Sequence, residues 1–231
     1  RNLFRCLEGD LIKFRFKGML PKNLIHFDFK GNLQLVWYVH PKQHTLYFDT
    51  PERQLYLDHH NGKLNRFKLR IRHYRETGDS FLEVKKKNNR ERTIKNRLPL
   101  TSQTVASSRV VPFLEEQLGR PVAGMLPALF VGYRRMTFMS ARGTERITVD
   151  TGLGFHSADR RSGLCLPDVA VFEVKYDRKV PYSPFLERLG QLGCRPVQFS
   201  KYCIGTSLLF GHECKTNRFK PLLRRLHGIC S

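Results

Sequence analysis

The chain has 231 residues, of which 41 are Lys or Arg and 20 are Asp or Glu, giving a formal charge of +21. This length suits one large domain or two small ones and buries roughly 70% of the unfolded surface. The charge asks for acidic partners: nucleic acid, anionic lipid or phosphate compounds. No apolar run approaches the roughly 20 residues that span a bilayer. No N-terminal signal peptide is visible, and the six cysteines are scattered without C-x-x-C. That spacing gives no zinc-site or disulfide-framework pattern, and it sets reduced thiols in a cytoplasmic setting as the expectation.

In chain order, Leu11–Phe16 reads as a strand, and an ambiguous stretch follows to Trp37. A strand near His44–Phe48 ends at Asp49-Thr50-Pro51, a turn signal in which Asp49 reads as a capping residue rather than a base. The pair His59-His60 reads as part of an exposed loop, and Asn61-Gly62 as a hairpin turn into the next strand. That strand, Arg66-Phe-Lys-Leu-Arg-Ile-Arg72, alternates cation and apolar residue without exception. Because strand side chains point alternately to two faces, Arg66, Lys68, Arg70 and Arg72 share one face. Two cations about 6 Å apart repel by about 3 kcal/mol at an effective dielectric near 20. Four in a row ask for something negative opposite them.

Later segments repeat the pattern. Strands near 80–87 and 92–98 align Glu83, Lys85 and Lys87, then Lys95 with Arg97. Residues 61–100 alone hold thirteen Lys/Arg against four Asp/Glu, so the charge is concentrated. Residues 108–119 read as a helix closing at Gly119. Strands near 129–138, 144–151 and 169–176 align Tyr133 with Arg135 and Thr137, Arg146 with Thr148 and Asp150, and Glu173 with Lys175. Asp150 is read as an ion-pair partner of a cation on its face in preference to a metal ligand. Ser183 caps a helix that ends near Gly193, and an apolar stretch after Lys201 precedes a basic tail, Lys215 to Arg225. About eight strands with few helices predict an α+β fold on a mainly antiparallel sheet, open or closed into a barrel, and in a closed barrel the interior cations would form a charged tunnel.

Leu46-Tyr-Phe-Asp-Thr-Pro51, Asn65-Arg-Phe-Lys-Leu-Arg-Ile-Arg-His-Tyr74, Leu82-Glu-Val-Lys85, Tyr133-x-Arg135, Arg146-Ile-Thr-Val-Asp-Thr151, Phe172-Glu-Val-Lys175 and Phe199-Ser-Lys-Tyr202 occur in this order. Together they resemble the VTC domain, the polyphosphate polymerase domain of the triphosphate tunnel metalloenzyme superfamily, over about residues 44–210. The resemblance implies an antiparallel eight-stranded barrel, a tunnel that grips triphosphate or polyphosphate along its axis. It also implies a divalent metal, Mn2+ or Mg2+, and transfer of the terminal phosphate of ATP onto a growing chain. By motif it implies phosphate contacts from Arg70, Arg72, Lys85, Lys95, Arg135, Arg146, Lys175 and Lys201. Further substrate contacts fall to Lys17, Lys68 and Arg97, with Arg97 an alternative to Lys95, and the metal falls to Glu173.

The chain departs from the family pattern in its first strand, where Arg15 stands at the place of a glutamate and Lys17 at that of a lysine. Residues 1–43 match poorly, and Gln198 stands where some members carry a lysine. The expected organisation is one domain over 1–210 and a basic C-terminal tail over 211–231. Three functions follow in order: an ATP-dependent polymerase, a tunnel triphosphatase, and a non-catalytic module for polyphosphate or inositol phosphates. Nucleic acid is the disfavoured polyanion, because Phe67 points away from Arg66 and Lys68 rather than offering a stacking surface beside them. A membrane-associated partner protein is the expected route to any membrane.

Overall fold

The computed structural model describes residues 2–4, 26–29, 33–75, 77–90, 92–102, 108–140, 145–176, 183–191 and 193–230. Its elements in chain order are β1 (Asn2–Phe4), β2 (His26–Phe29), β3 (Leu33–Asp49), α1 (Gln54–His60), β4 (Arg66–Tyr74), β5 (Ser80–Lys87), β6 (Thr93–Pro99) and α2 (Val110–Leu118). There follow β7 (Leu126–Ser140), β8 (Glu145–Ser157), β9 (Gly163–Leu166), β10 (Val171–Tyr176), α3 (Pro184–Gln191), β11 (Pro196–Val197) and α4 (Lys201–Phe210). A 3-10 turn at Asn217–Phe219 then leads into α5 (Lys220–Cys230). The expected strand at Leu11–Phe16, with Arg15 and Lys17, lies outside the described residues.

The mainly antiparallel α+β expectation holds, but the eight-stranded closed barrel does not. Eleven described strands form one sheet along the path β11-β1-β10-β8-β7-β3-β4-β5-β6, with β2 and β9 attached to its side, and the path is open. One terminal strand, β11, has two residues and begins with Pro196, which lacks a ladder donor. It offers almost nothing for β6, at the other terminus, to pair with. The sheet is bent by β-bulges, with register shifts between His40 and Gln43 and between Tyr47 and Phe48 along the β3–β7 pair and between Gly132 and Arg134 along the β7–β8 pair. Lys68 of β4 bonds Ser200 at 2.8 Å, while the next residue, Lys201, bonds Asp150 of β8 at 2.5 Å. Those strands stand three steps apart in the path, and the two long lysine side chains meet their partners at the start of α4.

Helices cover both faces. On the convex face, α2 packs Leu114 and Leu118 against Leu69, Leu82 and Val84, while α3 packs Phe185 and Leu189 against Phe138, Ile147, Val149, Phe172 and Val174. On the concave face, α4 places Tyr202, Cys203 and Ile204 on Leu129, Val131, Leu153 and Phe155. Its approach there is close: a Cβ at Gly205 would collide with Phe155 and Leu129. Ser200 caps α4 by accepting from the Cys203 N–H at 3.3 Å.

Two local expectations are corrected. Asn61-Gly62 is not a hairpin turn but the end of α1, where Gly62 takes φ 71°. His59 and His60 are accordingly the last turn of that helix, with His60 buried, and not part of an exposed loop. The short helix forms because Asp49 Oδ1 accepts from the Leu55 N–H at 2.7 Å and Oδ2 from the Tyr56 N–H at 2.9 Å. Asp49 is therefore the capping residue its turn position suggested.

Candidate functional site

Register gathers the cations of β4 to β6 on the concave face. Arg70 stands opposite Glu83 and Tyr47, Lys68 opposite Lys85, Lys85 opposite Lys95, and Glu83 opposite Arg97. The face is about 20 Å long from Arg66 to Arg72. Its repulsion is relieved by Glu83, which is 0% exposed and takes Arg70 Nε at 2.8 Å and the ammonium of Lys95. Burial alone would raise the Glu83 carboxyl, but Arg70 and Arg72 hold it down to about 2. Arg97 is exposed on β6 and lies over the Phe81 ring, 4.9 Å from its centroid, so it sits at the rim of the group.

A second group comes from β7, β8 and α4. Arg135 forks onto Asp150, its two nitrogens each 2.6 Å from a carboxylate oxygen, and Lys201 reaches Oδ2 of the same residue. Asp150 is thus the ion-pair partner that the alternation suggested. Burial opposes its ionisation, and Lys201 and Arg135 overcome that and hold its carboxyl below the usual range. Further along these strands Glu173 stands opposite Thr148, and Lys175 opposite Arg146. Lys175 lies 3.5 Å from Glu173 Oε1, and Arg146 is exposed.

Tyr133 joins the two groups. Its hydroxyl takes Arg72 Nη2 at 3.4 Å, while Arg135 and Lys201 lie over its ring, 5.2 and 4.6 Å from the centroid. The N-terminus of α4 adds its own positive end at this point. The same face leaves buried polar atoms without a hydrogen-bond partner among the described residues: Arg72 Nε, Thr45 Oγ1 and Thr148 Oγ1. Thr45 stands directly opposite Arg72. Native structures rarely leave such groups unmet, so a donor pair here fits an oxyanion.

Sequence reasoning assigned no role to Tyr47, Thr45 or Ser200, or to Glu83 as the anchor of Arg70. The signal was present in the alternation, which puts Thr45, Tyr47 and Asp49 on one face of β3. Tyr47 receives Arg70 Nη1 at 3.2 Å and stacks on Tyr202 with ring centroids 5.0 Å apart. Burial raises its hydroxyl, yet Arg70, Lys68 and Arg72 bring it below the ordinary tyrosine value.

For a metal, Glu173 with the Thr148 hydroxyl opposite is a sparse donor set. It fits a hard divalent ion that draws its remaining ligands from phosphate oxygens and water. Glu83 and Asp150 are each already shared by two cations.

A concave sheet face carrying this cation pattern agrees with comparison to known families, in which the VTC domain model matches residues 25–210. The chain belongs to the VTC domain family. Solved structures similar to this VTC domain include a candidate adenylate cyclase from Bacillus halodurans, at 14% identity over 69% of this chain and 79% of that one, with a TM-score of 0.48. Another is a candidate adenylyl cyclase from Hippeastrum described by a dominant triphosphatase activity, at 15% identity over 78% and 85% of the two chains, with a TM-score of 0.43. A hypothetical protein from Pyrococcus furiosus follows at 15% identity, 66% and 74% coverage and a TM-score of 0.34. No curated protein sequence matches this VTC domain.

Proposed function

We propose that this VTC domain is a polyphosphate polymerase that transfers the terminal phosphate of ATP onto a polyphosphate chain lying along the concave face. What supports the reading most is the convergence of two cation groups on Tyr133 and the start of α4, beside the unmet Arg72 Nε and Thr45 Oγ1. In the transfer, the bond between the γ-phosphorus and its bridging oxygen breaks, a terminal oxygen of the acceptor chain bonds that phosphorus, and ADP leaves. This chemistry needs charge neutralisation and alignment more than covalent catalysis.

Arg72 and Lys85, with Arg70 and Lys95 held by Glu83, neutralise one stretch of the anion. Arg135 and Lys201, held by Asp150, neutralise the next, and Arg146 with Lys175 the far end. Holding the cations on buried carboxylates fixes them before substrate arrives, which is the preorganisation such transfer requires. Lys17, Lys68 and Arg97 supply further substrate contacts. Glu173 would hold Mn2+ or Mg2+, which when bound supplies further neutralisation of phosphate oxygens. The reading treats residues 1–210 as one domain with 211–231 as its basic extension, in a cytoplasmic setting. Membrane contact, in this reading, is through a partner protein; among the described residues no helix is long and apolar enough to cross a membrane.

One observation favours a second reading, anion binding without turnover: Arg15 stands where the family's first strand carries a glutamate. The deciding experiment is incubation of the purified chain with ATP and Mn2+, followed by gel analysis for polyphosphate and an assay for free phosphate. Polymer together with ADP is the expected result. Phosphate without polymer would make the chain a triphosphatase. Neither product, with anion binding retained, would leave a polyphosphate or inositol-phosphate binding module.

A further inference from the structure

The C-terminal turn and α5 carry Lys215, Arg218, Lys220, Arg224 and Arg225, with no Asp or Glu from residue 215 to the end of the chain. All five cations are exposed, and none takes part in an ion pair with a described carboxylate. The segment is held in place. Tyr56 Oη donates to the Lys215 carbonyl at 2.6 Å, the Arg218 N–H donates to His60 Nε2 at 3.3 Å, and Arg218 Nη1 donates to the His60 carbonyl at 3.2 Å. Arg218 lies so close over Gly62 that a Cβ there would collide with its guanidinium. On its inner side α5 seats Leu222, Leu223 and Leu226 in the core, so its apolar face is not available for insertion into a bilayer.

The same helix α1 touches the concave face. His59 Nδ1 accepts from Arg66 Nε at 3.0 Å, which leaves Nε2–H to donate to the Phe67 carbonyl at 3.2 Å. The imidazole is neutral: burial lowers its pKa, and Lys68 and Arg66 push it further, to about 2, with Arg218 adding to the effect. Arg66 of the concave face and Arg218 of the C-terminal turn therefore bond consecutive residues, His59 and His60, at the end of α1. With α4 seated on β7 and β8, the cations that continue past it on the concave face are those of β4 and β5.

We infer that the C-terminal turn and α5 form an outer extension of the anion site. A polyphosphate chain too long for the concave face passes Lys68 and Arg66, crosses the end of α1 at His59, and continues over Arg218 to Lys220, Arg224 and Arg225. The inference rests on the reading of the concave face as a polyphosphate site, and it makes the chain selective for long polymers over tripolyphosphate. α5 is about 16 Å long, comparable with the concave face itself.

The test compares binding of tripolyphosphate and of long-chain polyphosphate to the unaltered protein and to Lys220→Gln/Arg224→Gln/Arg225→Gln, whose changes leave the buried leucines intact. Long-chain affinity is expected to fall about ten-fold while tripolyphosphate affinity stays within about two-fold. The salt slope for the long chain should flatten by up to about three ions, by counterion release. Arg218→Gln, a separate single change, should give the same selectivity in smaller measure and serves if the triple variant melts early. Unchanged long-chain affinity in both variants would overturn the extension while leaving the concave-face reading intact. Failure of the unaltered protein to bind either anion would overturn both. Loss of adsorption to phosphatidylserine vesicles, with polyphosphate binding unaffected, would assign the helix to a lipid surface and also overturn the inference.

Discussion

At the residue scale, Glu83 shows how a surface of like charge is made tolerable. Its carboxylate is sealed from solvent between Arg70 and Lys95, and its folded-state pKa is held to about 2 against 4.5 in the absence of the fold. A carboxyl with a lowered folded pKa contributes stability that is present above the unfolded pKa and lost as pH falls through the folded one. For Glu83 that window runs from about pH 5 down to about pH 2. Glu83→Gln strands two cations beside Arg72 and is expected to cost about 3 kcal/mol at neutral pH. The acid limb of a stability–pH curve should also flatten; a variant with unchanged denaturant midpoint and unchanged acid limb would contradict this account. Glu173 makes the opposite case. Glu173→Gln should abolish metal-dependent turnover while tripolyphosphate binding survives, and equal loss of both would count against its metal role.

At the element scale, α4 decides the shape of the site. It lies on the concave face, with Gly205 meeting Phe155 and Leu129 where any side chain would intrude. In an exposed helix Gly→Ala stabilises by roughly 1 kcal/mol, but here overpacking is expected to reverse the sign. Gly205→Ala should destabilise by about 1–3 kcal/mol. Because α4 carries Ser200 and Lys201 to their partners, it should also weaken anion binding. A rise in melting temperature would show that α4 is looser on the sheet than described. The neighbouring α1 shows why local patterns misled. Asn-Gly is a strong hairpin signal, but Asp49, five residues before the helix begins, supplies the acceptors that start α1 and shift Gly62 to its exit.

At the scale of the whole molecule, the +21 charge and the bent sheet set a ligand-dependent stability. Cations facing one another across a concave surface repel until an anion neutralises them. Tripolyphosphate at about 100 times its dissociation constant should add about 2.7 kcal/mol, which for a domain of this size is a melting shift of about 5–10 °C. Salt screens exposed charges over about 10 Å at 0.1 M, so the shift should shrink as salt is raised. A shift that is absent at low salt would mean that the basic faces act as separate solvated surfaces. The reach of the Lys68 and Lys201 side chains lets an open path of strands bring β4 and β8 to adjacent residues at the start of α4.

What the sequence determined by itself was the face on which each charged residue stands. A strand repeats every two residues regardless of its neighbours, so Arg66, Lys68, Arg70 and Arg72 on one face, or Arg146 with Asp150, followed from alternation alone. The motifs in order pointed likewise to the VTC family. Pairing and closure were decided only by the tertiary structure. That Glu83 anchors Arg70, that Tyr133 gathers Arg72, Arg135 and Lys201, and that the described sheet stays open depend on contacts between residues up to about 190 apart. Local periodicity carries no term for such contacts, because they arise from how a twisted, bulged sheet packs on the helix that lies against it.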